Sequence, residues 1–288
     1  MQNLIDLVDK KLNEYMPIIY PEDIFKAMKY TVTLPGKRLR PVMCLETVRM
    51  LGGDVEKALP TACAIEMLHA QSLIHDDLPC MDNDDFRRGK PSNHKVFGEA
   101  NAVLAGDALL TFAPQLIIEK SELPAETTLK LVYEFTKWGG AYALIAGQVV
   151  DIQSEGGKLI KSPEETLNFI HLNKTGALFR LAMRSGTIIA GGSEKTLGEI
   201  DEFAKKFGLA FQIYDDIMDE ISSFEELGKT AGKDKNCGKL TYVSLYGLED
   251  AKNKFDSLML DCYDIIKKYN SNIFTNIMKK LENRLLGV

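Results

Sequence analysis

Two short stretches concentrate carboxylates inside otherwise apolar sequence. The first is His75-Asp76-Asp77-Leu78-Pro79-Cys80-Met81-Asp82-Asn83-Asp84-Asp85, and the second is Asp215-Asp216-Ile217-Met218-Asp219. In the second, Asp215 and Asp219 stand four residues apart and Asp216 and Asp219 three, so on a helix all three share a face. Carboxylates placed this way repel one another and want a cation. Phe211, Ile213 and Tyr214 mark the same helix as internal. Ionised carboxylates inside a protein are costly unless paired or metal-bound. An all-oxygen donor set suits Mg2+, which keeps several waters and binds through one or two carboxylates and substrate phosphates. In the first stretch Asp76 and Asp82 are six residues apart, about 120° from one another on a straight helix. Pro79 should distort the chain there, and a local bulge could return Asp82 towards Asp76. A calcium-loop reading fails, because no Gly stands at loop position six and Arg87 replaces Glu at position twelve. Either cluster alone is more often a solvated acidic face or a helix end. Together, each within apolar helical sequence, they bring the metal reading level with that one.

Cations gather nearby. Gly36-Lys37-Arg38-Leu39-Arg40-Pro41 supplies three, and Arg87-Arg88-Gly89-Lys90 follows directly on the first acidic cluster. Lys174-Thr175-Gly176, Lys229 and Lys239 add single cations in glycine-flanked settings. Arg forks and Lys point charges are the usual clamps for diphosphates. Each alone reads more readily as a surface cation, but paired Arg immediately after a run of acids is harder to explain by solvation. His69 stands seven residues before Asp76, on the same helical face and about 10.5 Å away along the axis. Ser72 lies between them. A lone His on a helix is usually structural; this one could touch a ligand.

These residues need rigid elements, and helical periodicity dominates the chain. An amphipathic helix starts at Leu4, Leu7, Val8 and Leu12. Further helices are predicted over 57–78, 99–118, 125–153, 164–190, 195–221, 241–269 and 271–285. Ser162-Pro163-Glu164-Glu165 is a helix start, with a capping Ser, Pro in the first turn and acids at the positive dipole end. Breaks fall at Gly52-Gly53, Ser121–Pro124, Gly156-Gly157, Gly191-Gly192 and Gly228–Gly238, none long enough for an interdomain linker. Alternating strand patterns are nearly absent. One all-α domain over 1–288 is the simplest organisation.

The totals narrow the class of partner. With 288 residues, 45% of them apolar, the chain can bury a sizeable core. A net charge of -6 argues against a nucleic-acid partner. Five cysteines, with no CxxC pair, suit a reduced cytosolic compartment better than a disulfide framework. The N-terminus lacks the basic and apolar regions of a signal peptide, and no stretch is read as a membrane span. A cytoplasmic protein is expected.

Taken together the motifs resemble those of the trans-prenyltransferases, the farnesyl and geranylgeranyl diphosphate synthases. The stretch Asp76 to Asp82 is similar to that family's first aspartate-rich motif in its longer form, and Asp215 to Asp219 to the second. Gly36 to Pro41, His94 to Glu99, Leu104 to Asp107, Gly147-Gln148 with Asp151, Lys174 to Gly176, and Gly238-Lys239 with Thr241-Tyr242 match in order. The resemblance implies a large helical bundle of the isoprenoid synthase type around a central cavity, acting as a homodimer. It implies three Mg2+ per active site, bridged to an allylic diphosphate by Asp76, Asp82 and Asp215, with Asp77, Asp216 and Asp219 in support. Lys37, Arg40, His69 and Arg88 would hold isopentenyl diphosphate. Arg87, Lys174, Gln212, Lys229 and Lys239 would hold the allylic diphosphate, and Thr175 and Gln212 would face the reacting carbon. Mg2+ and the cations would stabilise the departing diphosphate, and the isopentenyl double bond would attack the allylic cation in a pocket closed to water. The proton would leave to released pyrophosphate, so no dedicated base is required. Family members often end in basic residues that help close the site; the chain ends Arg284-Leu285-Leu286-Gly287-Val288, which leaves that role open for Arg284.

Product length follows in this reading from Gln71 and Ser72, where bulky aromatics would form a floor below the metals. Neither is aromatic, although Gln71 could close the pocket if its amide were hydrogen-bonded across it. The short chain and motif set favour the fifteen-carbon farnesyl product; the open floor keeps the twenty-carbon geranylgeranyl product as the alternative. Three other functions are weaker. A regulatory subunit of a heteromeric synthase would lose the Asp motifs. A metal phosphohydrolase would need more histidines than His69, His75, His94 and His171. A terpene cyclase would lack Lys37, Arg40 and Arg88.

Overall fold

A computed structural model describes residues 1–155, 157, 161–221 and 240–285. It is all-α, as the periodicity predicts; the sheet among the described residues is a two-residue hairpin, β1 (Phe86–Arg87) with β2 (Lys90–Pro91). Within the single span read from the sequence, the chain packs as two compact units: Met1–Thr136 with Ile188–Ala190, and Lys137–Thr187 with Gly191 onward.

The first unit contains α1 (Gln2–Tyr15), α2 (Glu22–Thr33), α3 (Leu39–Met50), α4 (Val55–Asp76), α5 (Asn93–Phe97), α6 (Glu99–Lys120) and most of α7 (Ala125–Gly139). Helix α4 is its centre. Asp54 caps it by accepting from Glu56 N. Buried Ala58, Leu59, Ala62, Ile65, Leu68 and Ile74 cover most of its circumference, so it packs on α3 and α6 at once. Helices α2 and α3 are missing from the segments read in the sequence. Helix α3 buries an unbroken run from Pro41 to Val48, which leaves no amphipathic stripe to detect. Helix α6 is long and apolar enough to cross a membrane by length and composition, contrary to the sequence expectation. One face of it lies in the core, where Ala102, Ala105, Leu109, Ala113, Leu116 and Ile117 are buried along α4, while Val103, Leu104 and Ile118 on its other face are exposed.

The second unit contains α8 (Leu144–Glu155), α9 (Pro163–Ile170), a π-turn (His171–Thr175), α10 (Gly176–Ile189), α11 (Glu194–Ile221), α12 (Tyr242–Tyr246), α13 (Leu248–Ile266), a 3-10 turn (Lys267–Tyr269) and α14 (Asn272–Leu285). The start signal at Ser162 is realised as a full capping box with Glu165 and Pro163 in the first turn. Three segments read as single helices are divided. The first breaks after Gly139, the second widens into the π-turn, and the third is cut at Gly247, whose φ of 87° ends α12. Helix α11 is the long element here and packs along α13. Its core is aromatic. Phe207 stacks on Phe203 at 5.9 Å and meets Phe179 edge-on at 5.3 Å, and Phe274 closes on Phe203 at 5.4 Å. Phe207 is fully buried, so Phe207→Ala should lower the unfolding free energy by about 3–5 kcal/mol, read from the midpoint of chemical denaturation.

Candidate active site

The first acidic cluster begins where α4 stops. Asp76 is the last helical residue. Asn83, with φ of 51°, turns the chain back, and Asp82 N donates to Asp76 O at 2.8 Å. The six-residue separation is therefore closed by a backbone loop, as Pro79 suggested, and both aspartates keep partial exposure. Asp77 is different. It is buried, and Arg87 grips it through Nη2 and through Nε at 3.0 and 3.2 Å. Burial raises the Asp77 pKa, and Arg87 opposes that rise. Any support Asp77 gives a metal runs through Arg87.

The hairpin after this loop presents two arginines. Arg88 and Gly89 form its turn with φ of 53° and 75°, the primed geometry that two-residue hairpins require. Tyr30 Oη donates to Pro91 O at 2.8 Å, and Asn93 Nδ2 donates to Ala27 O at 2.8 Å, which tie the hairpin and α5 to α2. Around His69 the structure gathers arginines. Arg40 Nη1 lies 3.4 Å from His69 Nε2. Arg has no acceptor, so Nε2 carries the lone pair and Nδ1 the proton. Burial first, then Arg40, Arg88, Arg87 and Arg38, hold the His69 pKa well below the ordinary imidazole value. Arg88 is also pushed down, by burial foremost, whereas Arg38 is raised because Glu66 and Asp9 outweigh its burial.

Below this cluster, the Ser72 hydroxyl donates to His69 O at 2.9 Å. The His75 ring sits against Gly106, where any Cβ would collide with it, and its Nε2 lies 3.1 Å from Val103 O. A carbonyl only accepts, so Nε2 is protonated and Nδ1 accepts from Gln71 Nε2 at 3.1 Å.

In the second unit the π-turn carries Lys174 and Thr175. π-Turns inside helices often mark functional sites. Gly147 makes this one possible, since a Cβ there would strike the backbone of Asn173 and Lys174. Lys174 Nζ donates to buried Asp151 at 2.6 Å. Thr175 Oγ1 donates to Gln212 Oε1 at 2.5 Å, and Gln212 Nε2 donates to Asp216 Oδ1 at 2.9 Å. Asp216 Oδ2 accepts from Tyr242 N at 2.7 Å and lies 3.6 Å from His171 Nε2. Thus the buried Asp216 is committed to protein donors, while Asp215 is exposed and Asp219 buried. His171 also lines a cavity of about 310 Å3 with Leu167, Leu209, Tyr242 and Tyr246. Arg284 hydrogen-bonds Tyr214, whose pKa is pushed up chiefly by burial, so it reaches the helix of the second cluster. Lys229 and Lys239 lie outside the described residues.

The donor chemistry is testable against Mg2+. Among the described residues no three His, Cys, Asp or Glu side chains form a closed cage. Mg2+ does not demand one, because one or two carboxylates with waters and substrate phosphates suffice. Asp76 with Asp82, and Asp215 with Asp219 one turn on, meet that requirement.

The sequence profile of the polyprenyl synthetase family matches residues 21–281. The chain belongs to this family. It is 44% identical to geranylgeranyl pyrophosphate synthase 4 of Arabidopsis thaliana over 267 residues, 93% of this chain and 72% of that one. It is 43% identical to geranylgeranyl diphosphate synthase of Cyanophora paradoxa, over 92% of this chain and 88% of that one. Among solved structures it matches a geranyltransferase from Helicobacter pylori, complexed with magnesium and isoprenyl diphosphate, with a TM-score of 0.84 and 31% identity over 99% of this chain and 95% of that one.

For a polyprenyl synthetase, the sequence reading named Arg38 only as one of three cations and passed over its partners. Arg38 and Glu66, both buried, are joined to the half-exposed side chain of Asp9 and to part-exposed Arg88. A charged residue in the apolar face of α4 was the available signal for Glu66. His171 was only counted, and the Tyr242 amide had no signal at all, because a backbone donor depends on the path of the chain. The neutral His69 carries a pH signature. The unfolded chain takes up a proton near the ordinary imidazole value of 6.5, and the folded one resists it. That stability is complete above this pH and is lost as pH falls towards the lowered folded value. Denaturation midpoints of the parent and His69→Asn, compared between pH 8 and 5, should diverge most at neutral pH and converge in acid.

Proposed function

We propose that the chain condenses isopentenyl diphosphate head to tail with allylic diphosphates and releases the twenty-carbon geranylgeranyl diphosphate. The observation that carries the reaction is the backbone closure of Asp82 N onto Asp76 O beside the arginine hairpin, which would let the two carboxylates serve one metal-bound diphosphate next to direct cations. Bound Mg2+ would supply Lewis-acid charge to the departing diphosphate. Asp76, Asp82, Asp215 and Asp219 are the residues that would hold it, with three ions per site as the expected number. Arg87, oriented by Asp77, and Lys174, oriented by Asp151, meet the allylic diphosphate. Thr175 and Gln212, joined by their hydrogen bond, turn oxygen dipoles towards the carbon that becomes cationic. Lys37, Arg40, His69 and Arg88 meet isopentenyl diphosphate, and Lys229 and Lys239 add charge to the allylic side. A homodimer in the cytoplasm completes the reading.

Two observations favour twenty carbons over the fifteen first expected. The curated relatives given above carry geranylgeranyl names. Gln71 Nε2 is also bonded along its own helix to His75 Nδ1, and the Ser72 hydroxyl to His69 O. Both side chains are thus turned along α4, which supports a reading in which neither closes the floor. With isopentenyl diphosphate and dimethylallyl, geranyl or farnesyl diphosphate in turn, chromatography of the dephosphorylated products should show the twenty-carbon alcohol from each starter. Accumulation of the fifteen-carbon alcohol, with farnesyl diphosphate left unextended, returns the assignment to a farnesyl synthase.

Metal dependence is checked separately. EDTA should abolish turnover and excess Mg2+ restore it, and Asp76→Ala should lower kcat by about 10²-fold or more. Full activity in chelator would remove the metal from the reading.

A further inference from the structure

Glu66 stands on α4 one turn before His69, with 2% of its surface exposed. Two arginines in left-handed backbone conformations converge on it: Arg38, just before α3, with φ of 46°, and Arg88, at the hairpin tip, with φ of 53°. Arg38 is spent inside the protein. Its Nη1 donates to Glu66 Oε1 at 2.8 Å, its Nε to Asp9 Oδ1 at 2.7 Å and its Nη2 to Leu34 O at 2.8 Å. Arg88 uses two of the same acceptors, but loosely. Its Nη2 is 3.6 Å from Glu66 Oε1 and its Nη1 is 3.4 Å from Leu34 O. Gly36 is shaped to the same guanidinium, because a Cβ there would lie 2.6 Å from Arg88 Nη1.

The asymmetry is informative. A structural ion pair would be complete with Arg38 alone. The second, longer contact leaves Arg88 part-exposed and with donors to spare, beside Arg40 and a neutral His69. The hairpin turn accounts for the left-handed backbone of Arg88, not for where its guanidinium lies. Glu66 Oε1 and Leu34 O are the atoms that both arginines approach, and of the two only Glu66 carries charge.

We propose that Glu66 is a positioning residue for the isopentenyl diphosphate site: fixed by Arg38, its carboxylate sets Arg88 in register with Arg40 and His69 so that all three meet one diphosphate. This rests on the assignment of Arg40 and Arg88 to that substrate under the proposed function.

The test is steady-state kinetics on the full chain with each substrate varied. Glu66→Gln keeps the shape and an acceptor for Arg38 and removes the charge that draws Arg88. KM for isopentenyl diphosphate should rise about tenfold, while KM for the allylic substrate and kcat stay within about twofold. If circular dichroism shows Glu66→Gln unfolded, the double variant Arg38→Gln with Glu66→Gln removes both buried charges, and the same selective rise is expected. Asp9→Asn, which removes only the charge of the outer partner of Arg38, should leave both KM values alone. Three results overturn the proposal: an unchanged or lowered KM for isopentenyl diphosphate, an equal rise for both substrates, or the same rise in Asp9→Asn. Arg40→Ala separates the layers. If it leaves KM for isopentenyl diphosphate alone, the site assignment fails and the proposal with it. If it raises that KM and Glu66→Gln does not, the role of Glu66 alone fails.

Discussion

One kind of ion pair recurs at three of the candidate ligand-binding cations, and it is buried on one side only. Arg87 has 25% of its side chain exposed against 2% for Asp77. Arg88 has 22% against 2% for Glu66, and Lys174 has 21% against 3% for Asp151. In each the carboxylate lies inside and the cation stands at the rim. A buried carboxylate without its partner is strongly unfavourable, so the interior acid fixes the base of each cation. The cation still has donors left over, because guanidinium has five and ammonium three. The rest of each unit serves to carry these acids on rigid helices: Glu66 in the middle of α4, Asp77 at its end and Asp151 in α8.

Setting rim cations this close requires backbone that ordinary helices do not supply. Arg38, Asn83 and Arg88 all have positive φ, and the π-turn widens the passage from α9 to α10 just where Lys174 and Thr175 stand. Such conformations persist when their surroundings over-determine them, and they cluster at functional sites. Here the surroundings are specific. Asp82 N reaches Asp76 O across the loop with Asn83, Gly36 admits the Arg88 guanidinium, and Gly147 admits the π-turn backbone. Strain is concentrated in short connections, while α4 and α11 remain regular.

This division explains what could be read in the sequence. Helices with a stripe or a cap were legible, as Ser162 and the run from Asp215 to Asp219 illustrate. Helix α3, buried on all sides, had no periodicity to betray it, and the π-turn is an inserted residue inside a continuous helical pattern. Asp76, Asp82, Arg87 and Arg88 stood out because carboxylates and paired arginines in that order admit diphosphate chemistry, their individual roles came from the family resemblance, and Pro79 announced the break that lets the Asp82 amide return to Asp76 O. Glu66 was signalled only by its place in the apolar face of α4 and Asp151 only by the motif it shares with Gly147 and Gln148; the burial that makes each an anchor was not legible, since an isolated acid in a helix reads as solvated. The Gln71 amide was expected to reach across a pocket if it closed one, and it turned out to bond one turn along its own helix. That choice depends on His75, whose tautomer is set by a carbonyl of α6 distant in sequence.

The rim pairs also bear on turnover. A set of bare cations would grip a diphosphate equally in substrate, transition state and product, and uniform binding of that kind does not raise kcat. Cations already paired to interior carboxylates bind an anion less tightly at rest, yet their orientation is paid in advance by folding. On the proposed reading, the charge that develops on the departing allylic diphosphate would then meet Arg87 and Lys174 as donors that need not reorganise. His69 fits the same logic. Held neutral by burial and four arginines, it presents Nε2 to Arg40 Nη1 at 3.4 Å without adding a further positive charge, so the cluster gains geometry rather than charge.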